Sequence, residues 1–427
     1  MATKHSLGFA LTGMALAALA ATSAQAQSNM DKLKQMKVAS SSLDIPLVPQ
    51  TGKNADAIRA NLKRVKLPPG FRIDLYAVVP DARHMAVAPA TNMLFVGTRK
   101  TTVWAVTNRN NGDMATEVKS FAPSLNFKNP NGVCWTKDGQ LVLAEHNRVL
   151  IFPAAEFFYE SPDVAVGEIV PQGQLVPTDA ESFNHGARTC RVGPDNKLYI
   201  TLGQPFNVPP ADKVAEFRKL GIGGIVRMNL DGSKREVFAV GVRNSVGQDF
   251  NPKDGTLWFT DNQTDGMGDG IPPGELNHAA RMGEDFGYPY WNGHVKVAGS
   301  GAAPDLKDLP EPKGAIFPQV EFPAHQAQLG MTFYNGKMFP DRYRGGIFVA
   351  SHGSWNSTTP TGALVNFVPL EGPDKAGKSE VFADNFRDEN NVYTGRPVDV
   401  AVMKDGSLLI SDDYAGAIYR ITYAAPQ

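Results

Sequence analysis

The stretch "GQDFNPKDGTLWFTDN", Gly247 to Asn262, contains two short apolar runs joined by a turn. Asp254-Gly255 at its centre tolerates the positive φ that a tight hairpin needs. Beyond the turn, Leu257 and Phe259 alternate with Trp258 and Thr260, the two-residue period of a strand. The same unit recurs in both directions. Upstream lie "MAVAPATNMLFVGTR" (Met85 to Arg99), "GVCWTKDGQLVLAEHNRVLIF" (Gly132 to Phe152) and "CRVGPDNKLYITLG" (Cys190 to Gly203). Downstream lie "GMTFYNGKMFPDRYRGGIFVAS" (Gly330 to Ser351) and "VDVAVMKDGSLLISDDYAGAIYRITY" (Val398 to Tyr423). Six such units, most of them roughly 45–60 residues apart, predict an all-β, six-bladed β-propeller. One interval is longer, because Asp261 to Leu329 carries a Gly/Pro-rich insertion, and long insertions in compact folds are usually functional.

Composition agrees with a turn-rich β fold: 41 glycines and 31 prolines in 427 residues, with 42% hydrophobic and 20% charged side chains. Basic and acidic residues balance at 42 against 43, so no electrostatic case exists for a nucleic acid or an anionic membrane as partner. The N-terminus predicts an export signal over residues 1–26. Lys4 and His5 precede a short Ala/Leu-rich run from Leu7 to Ala21, and Ala24-Gln25-Ala26 forms a cleavage pattern before Gln27. That run is too short for a membrane span, and no later one is long enough, so the expectation is a soluble periplasmic protein. Residues 27–66 read as a leader packed on the ring, with a helix from Ala55 to Lys63, and residues 67–427 read as one propeller domain. Cys134 and Cys190 stand at similar points of neighbouring repeats; they could pair in an oxidising compartment or could equally be two small buried hydrophobes.

Several motifs resemble the glucose/sorbosone dehydrogenase family of quinoproteins, and within it the L-sorbosone dehydrogenase branch. They are "LPPGFRIDLYA" (67–77), "RHMAVAP" (83–89), "NPNGVCW" (129–135), "FNHGARTCRVGPDNKLYITLG" (183–203), "GVRNSVGQDFNPKDGTLWFTDN" (241–262), "IPPGELN" (271–277), "HGSWN" (352–356) and "GRPVDVAVMKDGSLLISDDYAGAIYRITY" (395–423). The resemblance implies pyrroloquinoline quinone (PQQ) over the propeller's mouth, where the cofactor's quinone oxidises a sugar. It implies His185 as general base and Arg243 as the cation facing the quinone oxygen. It also implies Arg83, Arg243, Asn244, Asn262, His352 and Arg396 as cofactor contacts, the arginines forking onto the cofactor's carboxylates. A calcium ion is implied at the loop holding Gln263 and Thr264, through backbone carbonyls, with Asp265, Asp269, Glu275 and Asn277 as nearby oxygens. The substrate is expected to be a small sugar, an aldose or a sugar aldehyde such as sorbosone. No haem-attachment motif is present, so electrons are expected to leave to a separate cytochrome or quinone acceptor.

The chain departs from the soluble glucose dehydrogenases at Val246 and at Gln263-Thr264, which favours the sorbosone branch, and from that branch at Gly274. Two alternatives stand beside this reading. A calcium-dependent propeller lactonase would place carboxylates rather than arginines at the mouth. A non-catalytic binding propeller would reduce no dye.

Overall fold

The computed structural model describes residues 37–39, 44–162 and 164–425; the expected export signal lies outside them. Six antiparallel sheets are arranged as a β-propeller, and each quoted repeat supplies the two innermost strands of one blade. Blade 1 runs Met85–Val87, Leu94–Val96, Val103–Thr107 and Glu117–Phe121. Blade 2 runs Gly132–Trp135, Leu141–Ala144, Val149–Phe152 and Val164–Val170, and blade 3 runs Cys190–Val192, Leu198–Leu202, Gly224–Met228 and Glu236–Val240. Blade 4 is Gln248–Phe250, Leu257–Asp261, Gly274–Ala279 and Val320–Phe322; blade 5 is Gln328–Phe333, Ile347–Ser351, Leu364–Val368 and Glu380–Ala383. In the decisive stretch Gln248 faces Phe259, Asp249 faces Trp258 and Phe250 faces Leu257.

Blade 6 closes the ring. Its inner strands Pro397–Val402, Leu408–Asp412 and Ala417–Tyr423 come from the C-terminus, but its outermost strand is Phe71–Val78 from the N-terminus. The propeller domain expected from residue 67 therefore opens with a strand of the last blade, and blade 1 begins at the first quoted repeat. Joining the chain's two ends in one sheet leaves no loose edge where the ring meets itself. Phe71 fixes the closure, its ring meeting Phe339, Tyr343 and Phe382 of blade 5 edge-on at 4.7–5.3 Å. Innermost strands touch their neighbours all the way round, the sixth returning to the first.

Between blades the sheets pack as in a sandwich, and the clusters they bury are continuous from blade to blade. The leader helix spans Lys53–Leu62 and buries Ala55, Ile58 and Leu62 against the cluster shared by blades 5 and 6. Cys134 and Cys190 form a disulfide joining the inner strands of blades 2 and 3. This decides between the two readings of these residues, because adjacent inner strands converge near the axis and bring their Cα atoms to 5.8 Å.

The long interval in blade 4 resolves into ordinary third and fourth strands plus a connection. Within that connection Glu284–Asp285 adds a parallel edge to blade 3, and Trp291–Asn292 pairs with Val295–Lys296. Asp285 is ion-paired to Arg218. The insertion thereby ties blade 3 to blade 4 beneath the loop that follows Asp261.

Candidate active site

In a propeller the start of each inner strand and the end of each second strand lie on the same face. Arg83, Asn131, Arg188, Asn244 and Arg396 all fall just before inner strands, and Asn262, His352 and Asp413 each directly follow a second strand. The fold therefore collects them around one mouth, although they are spread over 331 residues.

His185 stands beside Arg188 and Asn244 of this group, Arg188 donating to its carbonyl oxygen. Its backbone is left-handed, φ 54°, in the loop leading into blade 3. Nδ1 lies 2.6 Å from the carbonyl oxygen of Gln204. A carbonyl can only accept, so Nδ1 carries the proton and Nε2 keeps its lone pair. Burial, and then the positive charges of Arg243, Arg188 and Arg99, lower its pKa to about 3, so the imidazole is neutral at pH 7. Gly203 is required beneath it. A Cβ there would lie 2.5 Å from Asn244 Oδ1 and 2.6 Å from the His185 carbonyl oxygen, so only glycine lets these two groups share the floor of the mouth.

Arg243 donates through its terminal nitrogen to Asp265 at 3.0 Å and to Asn207 Oδ1 at 2.7 Å. Its backbone N–H and that of Asn244 both donate to the Asp261 carboxylate. Asn244 Oδ1 is buried without a hydrogen-bond partner. Arg83 donates to Asn131 and, at 2.5 Å, to Asp413. The other oxygen of Asp413 accepts from His352 Nε2 at 2.8 Å. Burial opposes ionisation of Asp413, but His352 and Arg83, sharing its two oxygens, hold the carboxyl well below the usual carboxylate range. Burial lowers the pKa of His352 as well, so it is neutral at pH 7 and the lasting positive charge opposite Asp413 is that of Arg83.

Arg396 donates to the carbonyls of His352, Gly353 and Ser354 and lies over the Tyr393 ring at 4.9 Å. Two residues beyond Ser354, Asn356 donates to Asp265 at 2.7 Å, so the partner of Arg243 is tied to the loop that holds Arg396. Arg83, Arg243, His352 and Arg396 thus belong to one linked network.

Asn262 has a structural task as well, its amide donating to the carbonyls of Asn244 and Gln328 and so bracing blade 4 against blade 5. The N–H and hydroxyl of Thr264 both donate to Asn292 of the insertion, which fixes the course of this loop. Gln263 Oε1 and Asn277 Oδ1 are buried without partners. Asp261 and Glu275 face each other across strands of blade 4, both fully buried. Burial raises both pKa values, and the Glu275 charge raises that of Asp261 further. Asp265 and Asp269 are committed elsewhere, to Arg243 with Asn356 and to the backbone N–H of Thr358.

Asp413, Arg99 and Arg188 were not singled out from the sequence. A signal for Asp413 existed in the repeat register, where it occupies the position of His352 and Asn262. Arg188 stands inside the quoted "FNHGAR", three residues past His185. Arg99 had no such mark.

The fold and its mouth define a propeller with a neutral histidine set among buried guanidiniums. The family model for glucose/sorbosone dehydrogenases matches residues 174–420. An uncharacterized protein of Borreliella burgdorferi is 30% identical over 371 residues, covering 84% of this chain and 91% of that protein. The aldose sugar dehydrogenase YliI of Escherichia coli is 29% identical over 248 residues, covering 53% and 56%. Among solved structures, the PQQ domain of the Coprinopsis cinerea pyranose dehydrogenase superposes with a TM-score of 0.65 at 18% identity, covering 84% of this chain and 97% of that domain. The chain belongs to the glucose/sorbosone dehydrogenase family.

Proposed function

We propose that this protein is a PQQ-dependent sugar dehydrogenase that oxidises an aldose or sugar aldehyde and passes the electrons to a separate acceptor. The observation that carries the reading is the surroundings of His185: a neutral imidazole with one nitrogen fixed and the other unpartnered among the described residues, under the field of three guanidiniums. A multiply carboxylated ligand is what such a field selects. The orphaned Asn244 Oδ1 at the same floor adds an acceptor for a ligand N–H. These features fit PQQ, which when bound would supply a quinone that accepts the hydride, and with it both electrons, removed from the sugar.

On this reading His185 Nε2 takes the proton of the sugar hydroxyl. Arg243, braced by Asp265 and Asn207, holds its charge where electron density builds up. Arg83, Asn244, Asn262, His352 and Arg396 bind and orient the cofactor from the other blades. Anionic ligand over Arg243 would also offset the charge that lowers the His185 pKa, making it a stronger base only once the cofactor is in place.

Calcium fits the neighbouring loop on chemical grounds. Gln263 Oε1 and Asn277 Oδ1 are orphaned, Asn277 donates to Glu275, and Glu275 faces Asp261 across the strands; these are hard oxygens of the kind a divalent cation takes. Gln263 and Thr264 would hold it, with Glu275 close by. The leader signal supports export to the periplasm; among the described residues no helix is long and apolar enough to cross a membrane.

The test is reconstitution with PQQ and calcium, followed by dye reduction over a panel of aldoses and sugar aldehydes. The His185→Ala variant is expected to bind PQQ normally and to lose roughly 10²–10⁴-fold in turnover. Full activity in that variant removes His185 from the mechanism, and failure of the wild type to bind PQQ removes the cofactor.

A further inference from the structure

A cleft of about 350 Å³ opens beside the mouth, lined by Arg99, Lys100, Lys128, Asn129, His146, Glu181, Ser182 and Phe183. Its wall is continuous with the His185 loop. Phe183 is two residues from His185, a Cα separation of at most about 7.6 Å. The His146 ring packs so closely on Gly186 that a Cβ there would lie 2.4 Å from it.

Four features mark this cleft as built for a ligand. Asn129 is 5% exposed, yet neither its amide nitrogen nor its amide oxygen has a hydrogen-bond partner. Its backbone is pinned by N–H donation to Lys100 and by accepting from Asn131, so the side chain is held in place with one donor and one acceptor unused. Phe183 presents an exposed flat ring, 62% accessible, with the Arg99 guanidinium 5.1 Å from its centroid. Arg99, Lys100 and Lys128 make no ion pair within 4.0 Å among the described residues. The one lining carboxylate, Glu181, accepts from Asn147 and lies 3.7 Å from His146. Burial and Arg188 keep His146 largely neutral, so the cleft carries an excess of positive charge.

We propose that this cleft is a subsite for a second sugar unit bearing an anionic group, linked to the sugar that is oxidised at His185. The volume suits one ring. The Phe183 face suits the C–H face of a pyranose, the Asn129 amide suits a hydroxyl as donor and acceptor at once, and the lysines suit a carboxylate or phosphate. The placement next to His185 rests on the dehydrogenase reading; the charge preference rests on the cleft alone. A uronic acid and a sugar phosphate share this chemistry.

The first measurement is calorimetric binding to the full cofactor-free protein. Three disaccharides with the same reducing-end sugar are compared, the second unit being neutral, a uronate or a phosphate ester. An anionic unit is expected to bind about tenfold or more tightly than the neutral one, with the advantage shrinking as salt rises. Lys100→Ala and Lys128→Ala should each lose most of that advantage. Asn129→Asp, which keeps a residue tolerant of its left-handed φ of 49°, should reverse it. Which acidic arm wins identifies the anion. Equal binding of all three, or an advantage untouched by both lysine variants, overturns the subsite.

The second measurement uses the holoenzyme. The same preference should appear in kcat/KM, while Lys100→Ala and Lys128→Ala leave monosaccharide oxidation unchanged. If the acidic disaccharide binds but no sugar is ever oxidised, the dehydrogenase reading fails and the anion site stands.

Discussion

Asp413→Asn tests the electrostatic design of the mouth directly. In the fold Asp413 bridges Arg83 and His352, and the Arg83 and Asp413 side chains are only 4% and 13% exposed. Removing one partner of a buried ion pair costs about 3–5 kcal/mol, because the remaining charge is left in a poorly solvating site. Asparagine keeps one carbonyl acceptor, which returns about 1 kcal/mol. The expected loss is about 2–4 kcal/mol, a fall in Tm of roughly 2–5 °C for a chain of this size, read by calorimetry at pH 7. Acid gives a second signature. The Asp413 carboxyl is held below its unfolded pKa, so the unfolded chain binds the proton first as pH falls. Its contribution is complete above the unfolded carboxylate pKa near 3.9 and declines below it, so the gap between wild type and variant should narrow in acid. A polycarboxylate ligand should stabilise the variant more than the wild type, since Arg83 is then free to pair with it. A Tm unchanged within about 1 °C, or a gap that widens in acid, would refute this account of the mouth.

Further expectations concern the frame and the base. Mutating Cys134 to Ala opens a loop with a sequence separation of 56 and should cost about 4 kcal/mol on the loop-closure account, measured by urea unfolding of the oxidised wild type against the variant. In Gly330→Ala the new Cβ would lie 2.0 Å from Asp399 Oδ1 and 2.6 Å from Asp399 Cα, forcing blades 5 and 6 apart; a loss of about 1–3 kcal/mol in the same assay is expected, and a neutral result would contradict the close approach of the inner strands. His185 in the cofactor-free protein should stay neutral well below pH 6 by NMR, and its pKa should rise when a polycarboxylate binds. Because the unfolded chain takes up this proton near pH 6.5 and the folded one only near 3, the His185 contribution to stability is lost as pH falls through that window. A titration near 6.5 without ligand would show that neither burial nor the guanidiniums act on it.

Much of the architecture could be read from local patterning. A hairpin needs only a turn residue that accepts positive φ and two strands of alternating side chains, and both are short-range properties. Hence all six repeats could be found, most of them by an Asp-Gly, Asp-Asn or Asn-Gly turn, and Arg83, Arg243 and Arg396, though not Arg188, could be assigned to one face. Ring closure could not be found this way. Nothing local in "FRIDLYA" distinguishes the last strand of blade 6 from the first strand of a new blade; the pairing of Phe71 with Tyr423 reaches across all six repeats.

The sequence by itself determined the repeat and its register, because strand geometry sends chemically similar positions to similar places. The tertiary structure alone decided who pairs with whom. Asp413 meets Arg83 across 330 positions, Asp265 meets Asn356 across 91, and the two cysteines meet because inner strands crowd the axis. The charge state of His185 belongs to the same class. Burial and three guanidiniums from separate blades set it, and such fields depend on distances through space that no stretch of sequence contains.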